Sequence, residues 1–213
     1  MSGRTLQATD LVVERAGRRI LDRASLTVAG GERVAVMGPS GAGKTTLLHV
    51  LGGLERPDRG TLRIGATRQA GRRVGIVFQG HGLVSLLTAA ENVEVALQAE
   101  RLARAEVRER AAAALHAVGL GPGHDRLVEE LSSGQQQRVA VARALVVRPD
   151  VLLADEPTAE LDAATREAVL ELLLAAADGG AAVVLATHDL NMARRCDRQV
   201  RMLAGRLREV GRA

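Results

Sequence analysis

The stretch Gly38-Pro39-Ser40-Gly41-Ala42-Gly43-Lys44-Thr45, followed by Thr46, combines residue types and spacing that can do chemistry. Its glycines let a loop wrap with amide N–H groups pointing inward, and a helix starting at its end adds the positive end of a dipole. The spacing is G-x-x-x-x-G-K-[ST]. In that pattern the lysine reaches the β- and γ-phosphates of a nucleoside triphosphate, and the hydroxyl of Thr45 binds Mg2+. Both flanks are the ones the motif requires: a β-type run at Arg33–Met37 and an apolar helical run at Thr46–Leu51. A dinucleotide-binding loop is the weaker rival, because the glycines here read G-x-x-G-x-G rather than G-x-G-x-x-G. Lys44 is also the only lysine among 29 basic side chains. Tyr and Trp are absent and Phe78 is the only phenylalanine, a bias that reads as drift in a GC-rich genome. A lysine kept against that drift marks a place needing a compact ammonium rather than a forked guanidinium.

A second constellation agrees with the first. Val151-Leu152-Leu153-Ala154-Asp155-Glu156 is an apolar, buried-type strand ending in two acids. Asp155 at the strand end suits the Mg2+ shell, and Glu156 suits the orientation and deprotonation of an attacking water. A strand ending in two acids is common as a solvated strand end. The phosphate loop upstream is what gives this one a chemical meaning.

Four shorter runs carry a family resemblance. Leu131-Ser132-Ser133-Gly134-Gln135, continuing through Gln136-Gln137-Arg138, resembles the signature motif of ATP-binding-cassette (ABC) ATPases. Phe78-Gln79 resembles their Q-loop, Glu160-Leu161-Asp162 their D-loop, and Thr187-His188-Asp189 their switch-histidine loop. Each run is commonplace alone. With the phosphate loop and the acidic strand they stand in the family's order across residues 5–209. The resemblance implies ATP and Mg2+ as ligands and a homodimer of two cassettes meeting head to tail. It implies that Ser132, Gly134, Gln135 and Asp162 bind nucleotide across that interface. It also implies that Lys44, Gln79, Glu156 and His188 serve hydrolysis, with Mg2+ held by Thr45, Gln79 and Asp155. Closure would drive a partner and hydrolysis would reset it. That partner, by resemblance, is an integral-membrane permease, which places the chain at the cytoplasmic face of the cell membrane.

Within the family, Ala154-Asp155-Glu156-Pro157-Thr158-Ala159-Glu160-Leu161-Asp162 and Leu87–Val93 resemble the macrolide- and lipoprotein-exporter (MacB/LolD-like) branch. That likeness implies an exporter or a device transmitting force across the membrane. Four departures stand out. Ser133 occupies a glycine position of the signature, and Ser85 stands where the family commonly has proline. The Gly60–Gln79 segment is shorter than in that branch. The adenine-stacking aromatic is missing from Glu14-Arg15-Ala16-Gly17, so stacking falls to the Arg15 guanidinium or is absent.

The elements that must position these residues alternate. β-type runs fall at Leu6–Val13, Ser25–Val28, Arg33–Met37, Thr61–Ile64, Val74–Phe78, Val151–Ala154 and Ala182–Thr187. Helical patterns fit Lys44–Leu51, Thr88–Leu102, Ala105–Val118, Gly134–Val147, Ala163–Ala176 and Leu190–Arg195. The expected fold is therefore α/β: a P-loop NTPase core with a mainly parallel sheet, an N-terminal antiparallel β part and an inserted helical lobe. One domain over 1–213 is expected, with 1–85 and 149–213 as the core and 86–148 as the lobe.

Composition narrows the class. The 213 residues are 46% hydrophobic and 25% charged, which excludes a disordered tail, a collagen-like rod and a disulfide scaffold. Cys196 has no partner for a disulfide within the chain, pointing to a reducing compartment. Met1–Asp10 lacks the pattern of a signal peptide. The most apolar region, Ala168–Thr187, is interrupted by Glu171, Asp178, Gly179 and Gly180, so no membrane span is expected. Residues 1–80 carry 13 basic and 6 acidic groups while 81–213 carry 16 and 19, so the net charge of +4 is concentrated in the first part. A basic surface of that kind supports an alternative, a soluble ABC ATPase acting on nucleic acid or ribosomes. Against it, no five like charges adjoin, no aromatics interleave the arginines, and there is neither a second cassette nor a coiled-coil insertion; no nucleic acid is expected. A degraded cassette acting only as a binder is opposed by intact Lys44, Asp155, Glu156 and His188.

Overall fold

The computed structural model describes residues 5–65, 73–121 and 125–212. The strands are β1 (Leu6–Arg15), β2 (Arg18–Val28), β3 (Arg33–Met37), β4 (Arg59–Ile64), β5 (Val74–Val77), β6 (Val151–Asp155), β7 (Ala182–Thr187), β8 (Arg198–Leu203) and β9 (Arg206–Arg212). The helices are α1 (Lys44–Leu51), α2 (Ala89–Glu94), α3 (Arg104–Ala117), α4 (Ser133–Val146), α5 (Ala163–Asp178) and α6 (Leu190–Arg194). Strands β2-β1-β4 form an antiparallel sheet. The second sheet has the order β5-β6-β7-β3-β8-β9 and is parallel except for β9 at its edge. The expected α/β core with its N-terminal antiparallel part is thus present.

Strand alternation divides the interior into two apolar layers. In β6, Leu153 faces one layer while Leu152 and Ala154 face the other; in β7, Val184 and Ala186 oppose Val183 and Leu185. Both strands are buried along their whole length, which explains their unbroken Val, Leu and Ala content. On one side, Val34, Val36 and Leu153 pack with Leu47 and Leu51 of α1 and with Leu21 and Leu26 of the antiparallel sheet. On the other, Leu152, Ala154 and Leu185 join Val93 of α2, Leu115 of α3, Val139 of α4 and Leu173 of α5 in one continuous cluster. The helices between β5 and β6 therefore share their core with the parallel sheet.

Two details depart from the patterns read in the sequence. The helix expected over Thr88–Leu102 starts as predicted, with Thr88 and Glu91 forming a reciprocal cap, but α2 stops at Glu94. A tighter 3-10 stretch, Val95–Glu100, follows and carries Leu97 into the core at 1% exposure. The β-branched Val93 and Val95 crowd a regular helical turn, and packing of Leu97 decides the outcome. Strands β8 and β9 were not expected, because arginines at 198, 201, 206 and 208 dilute the apolar signal to Val200, Met202 and Leu207. They pair through a two-residue turn at Ala204 and Gly205, both at positive φ. The expected short Gly60–Gln79 segment lies partly on 66–72, and the reading of Met1–Asp10 partly on 1–4, outside the described residues. Among the described residues, no helix is long and apolar enough to cross a membrane.

Helix α4 touches the sheet closely at Gly75. A Cβ there would lie 2.3 Å from the Ala144 carbonyl oxygen and 3.2 Å from a Leu152 methyl. Gly75→Ala is expected to cost about 2–3 kcal/mol by overpacking. Thermal denaturation should show the midpoint falling by roughly 5–10 °C for a chain of this size.

Candidate functional site

The phosphate loop leaves β3 and enters α1 through Gly43, whose φ of 105° a side chain would strain and whose added Cβ would meet the Ile20 carbonyl at 2.9 Å. Gly38 and Pro39 direct their carbonyls at Lys44, which donates to them from Nζ at 2.8 and 3.2 Å. Ala42 is buried, and its amide donates to Pro39 O at 3.2 Å. These three residues shape the loop. Ser40, Gly41, Gly43, Lys44, Thr45 and Thr46 line a cavity of about 380 Å³ beside it. Gln79, Asp155 and Glu156 form a further part of its wall, and Arg15 and Ile20 from the β1–β2 hairpin complete it. Arg15 is braced by Glu55, which accepts from Nε at 3.2 Å and from a terminal nitrogen.

The two acids at the end of β6 occupy different environments. Thr45 Oγ1 donates to Asp155 Oδ2 at 2.5 Å. Asp155 is 5% exposed, and burial pushes its carboxyl up from the usual range. The Thr45 hydrogen bond opposes that shift, the Glu156 charge adds to it, and the Lys44 ammonium relieves part of it. Glu156 sits at φ 46°, a left-handed conformation that costs a side-chain-bearing residue of order 1 kcal/mol. Its amide donates to Ala186 O at 2.9 Å, so β7 holds the turn. The carboxylate then meets His188 Nδ1 at 2.9 Å and accepts from Thr187 Oγ1 at 3.3 Å. His188 is 76% exposed at its side chain and joins the cavity through Glu156.

Ser132, Gly134, Gln135 and Asp162 are not among the residues lining this cavity. Ser132 accepts from the Gln135 amide at 3.3 Å while Gln135 Oε1 accepts from the Ser132 amide at 2.9 Å, a reciprocal cap on α4. Ser133 is the first helical residue and is exposed. Gly134 packs against the D-loop, where an added Cβ would lie 3.2 Å from Glu160 O. Asp162 caps α5, accepting from the amides of Ala164 and Thr165 at 3.1 and 3.0 Å. Hydrogen bonds from Thr165 are the largest influence holding its carboxyl below the usual range.

Several supporting residues lay outside the sequence argument. Ile20 was missed because an isolated apolar residue in an Arg-rich hairpin carries no motif. Thr187 was read as part of a motif, yet its contact with Glu156 follows from strand register alone. Gln137, 2% exposed, donates to Pro157 O at 2.8 Å and ties α4 to the turn after β6. Nothing in the polar run Gln135–Arg138 marks it in sequence as the buried member.

The donor set suits a hard cation: a threonine hydroxyl against a carboxylate, with a carboxamide on the same cavity wall. Among the described residues no group of three or more His, Cys, Asp or Glu could hold a metal. Mg2+ bound through few protein oxygens and phosphate does not require one.

Residues 21–159 match the family described as ABC transporter. The chain belongs to that family. An uncharacterised ABC transporter ATP-binding protein of Mycobacterium tuberculosis is 46% identical over 218 residues, covering 95% of this cassette. The cassette spans 66% of that relative's length. The lipoprotein-releasing system ATP-binding protein LolD of Bordetella pertussis is 42% identical, covering 97% of the cassette and 96% of LolD. Among solved structures, the dimeric post-hydrolysis state of the ATP-binding cassette MJ0796 bound to ADP and Pi superposes with a TM-score of 0.89 at 33% identity. That match covers 97% of this cassette and 99% of MJ0796.

The raised carboxyl of Asp155 makes a stability prediction. A buried acid whose folded pKa exceeds its unfolded one weakens the fold as pH rises through the folded pKa. Asp155→Asn should therefore raise the melting temperature of the nucleotide-free cassette at neutral pH by about 2–4 °C. Melting curves should converge with wild type at a pH below the ordinary aspartate range.

Proposed function

We propose that the cassette is the ATP-binding and ATP-hydrolysing subunit of a membrane transporter, of exporter or force-transmitting type. The contact series Thr45–Asp155 and Glu156–His188 at the edge of the loop-lined cavity carries this reading. The loop amides and Lys44 bind the phosphates, with Lys44 exchanging its two carbonyl partners for phosphate oxygens. Thr45, Asp155 and Gln79 hold Mg2+, which when bound supplies charge stabilisation of the transferring phosphoryl group. Glu156 orients the attacking water and takes its proton. His188, anchored to Glu156 through Nδ1, keeps its other ring nitrogen for the γ-phosphate.

The second half of the chemistry lies outside the cavity. Ser132, Gly134 and Gln135 at the start of α4, with Asp162, close the nucleotide site of a second copy in a head-to-tail homodimer. The dimeric MJ0796 relative with ADP and Pi supports that arrangement. Residues 1–85 and 149–213 act as the nucleotide core of a single domain, and 86–148 as its helical lobe. An integral-membrane permease receives the motion, which places the cassette at the cytoplasmic face of the cell membrane. LolD's description as part of a lipoprotein-releasing system supports the exporter assignment.

Glu156→Gln should retain ATP binding and dimerise with it while losing at least about 100-fold in turnover. Phosphate release measured beside size-exclusion chromatography with ATP tests this, and near wild-type turnover would overturn the role of Glu156. Arg15 in place of an aromatic predicts weak base discrimination. Competition binding should give an ATP-over-GTP preference below about 100-fold, since the guanidinium plane stacks on any purine.

A further inference from the structure

The segment from Gln79 to Thr88, which joins β5 to α2, carries a residue of the cavity wall on an otherwise irregular path. Gln79 itself is exposed, and nothing in its own side chain fixes where the loop goes. Two side chains from the neighbouring helices hold the backbone behind it. Asn92 of α2, 1% exposed, accepts from the Val84 amide at 2.8 Å and donates to the Val84 and Thr88 carbonyls at 3.0 Å each. Arg143 of α4 reaches further forward, donating to Gly82 O at 2.5 Å and His81 O at 2.9 Å.

Arg143 is an uncommon choice for such a task. No carboxylate pairs with it among the described residues, and its partners are two neutral carbonyls. Burial lowers its pKa, so the fold holds a desolvated cation there at a cost. A guanidinium supplies two parallel donors in a fixed plane, which a neutral side chain cannot match. The same helix is capped by Ser132, meets the D-loop through Gly134 and holds the turn after β6 through Gln137. His81 completes the neighbourhood, with Nε2 lying 3.8 Å from Glu160 Oε2.

We infer that Arg143 is a positioning residue: by holding the carbonyls of His81 and Gly82 it fixes the Gln79 segment to α4. Gln79 and the signature end of that helix thereby move as one unit. A displacement of the 79–88 segment reaches Ser132 and Gly134 through the helix, and a displacement of the signature end reaches Gln79. The inference rests on the proposed ATPase function, in which Gln79 acts at the metal and the water.

The test uses the full chain with Arg143→Gln, Arg143→Lys, Gln79→Ala and the double variant Arg143→Gln/Gln79→Ala. In Arg143→Gln, amide exchange at 79–84 should accelerate while β6 and β7 keep their protection. ATP affinity should stay within about threefold and kcat should fall roughly ten- to hundredfold, the scale of a small misplacement at a reacting centre. Arg143→Lys should recover part of that loss. In the Gln79→Ala background Arg143→Gln should cost less than about twofold more, because both changes act through one group. Independent, multiplicative losses in the double variant, or unchanged exchange at 79–84, would overturn the inference. If Arg143→Gln does not fold, Arg143→Lys alone and with Gln79→Ala is judged by the same criteria. A wild-type chain without ATP turnover would instead overturn the proposed function, and exchange at 79–84 would still decide whether Arg143 holds the segment.

Discussion

The register of four parallel strands is the constraint on which the cavity depends. Met37 at the end of β3 lies opposite Thr187 at the end of β7, Asp155 at the end of β6 lies opposite Ala186, and Val77 at the end of β5 lies opposite Ala154. The loops that follow therefore leave one edge of the sheet side by side. That edge delivers Lys44, His188, Glu156 and Gln79 to neighbouring positions although they are spread over more than half of the chain. A one-residue slip in β6 would exchange Leu153 with Leu152 and Ala154 between the two apolar layers, so burial defends the register that the chemistry uses.

Around that edge the fold accepts unfavourable local arrangements. Asp155 is buried beside a second carboxylate, and Glu156 holds a left-handed backbone angle. Each would relax in an unconstrained chain. Here the Thr45 hydroxyl meets the first, while the Ala186 carbonyl, Thr187 and His188 hold the second. Both carboxylates are therefore held in fixed places on the cavity wall, the arrangement expected of a preorganised site.

Two helix caps coincide with residues read from the sequence as a binding surface. The groups that finish α4 and α5, Ser132 with Gln135 and Asp162, are among the residues the family resemblance assigns to nucleotide contact across a dimer. Their side chains are already engaged with backbone amides, so the surface they present is ordered before any partner arrives. Gly134 lets that surface sit against the D-loop. Rigid presentation of this kind lowers the entropy lost on association.

The sequence by itself determined the phosphate loop, the acidic strand end and the α/β alternation, because each is written in contiguous residues whose chemistry or period is local. Lys44 stood out by type alone, and the helical pattern from Thr88 placed the start of α2. Beyond reach were the hairpin β8–β9, whose apolar face is two or three residues among arginines, and the break after Glu94, where packing of Leu97 outweighs helical propensity. Also beyond reach were Thr187 on Glu156, Gln137 on Pro157 and Arg143 on the carbonyls of His81 and Gly82. These contacts join residues 20 to 62 positions apart, and polar side chains of this kind look identical in sequence whether solvated or buried. Only the tertiary structure decided them, since the directionality of a hydrogen bond is satisfied by where strands and helices stop, which no local pattern encodes.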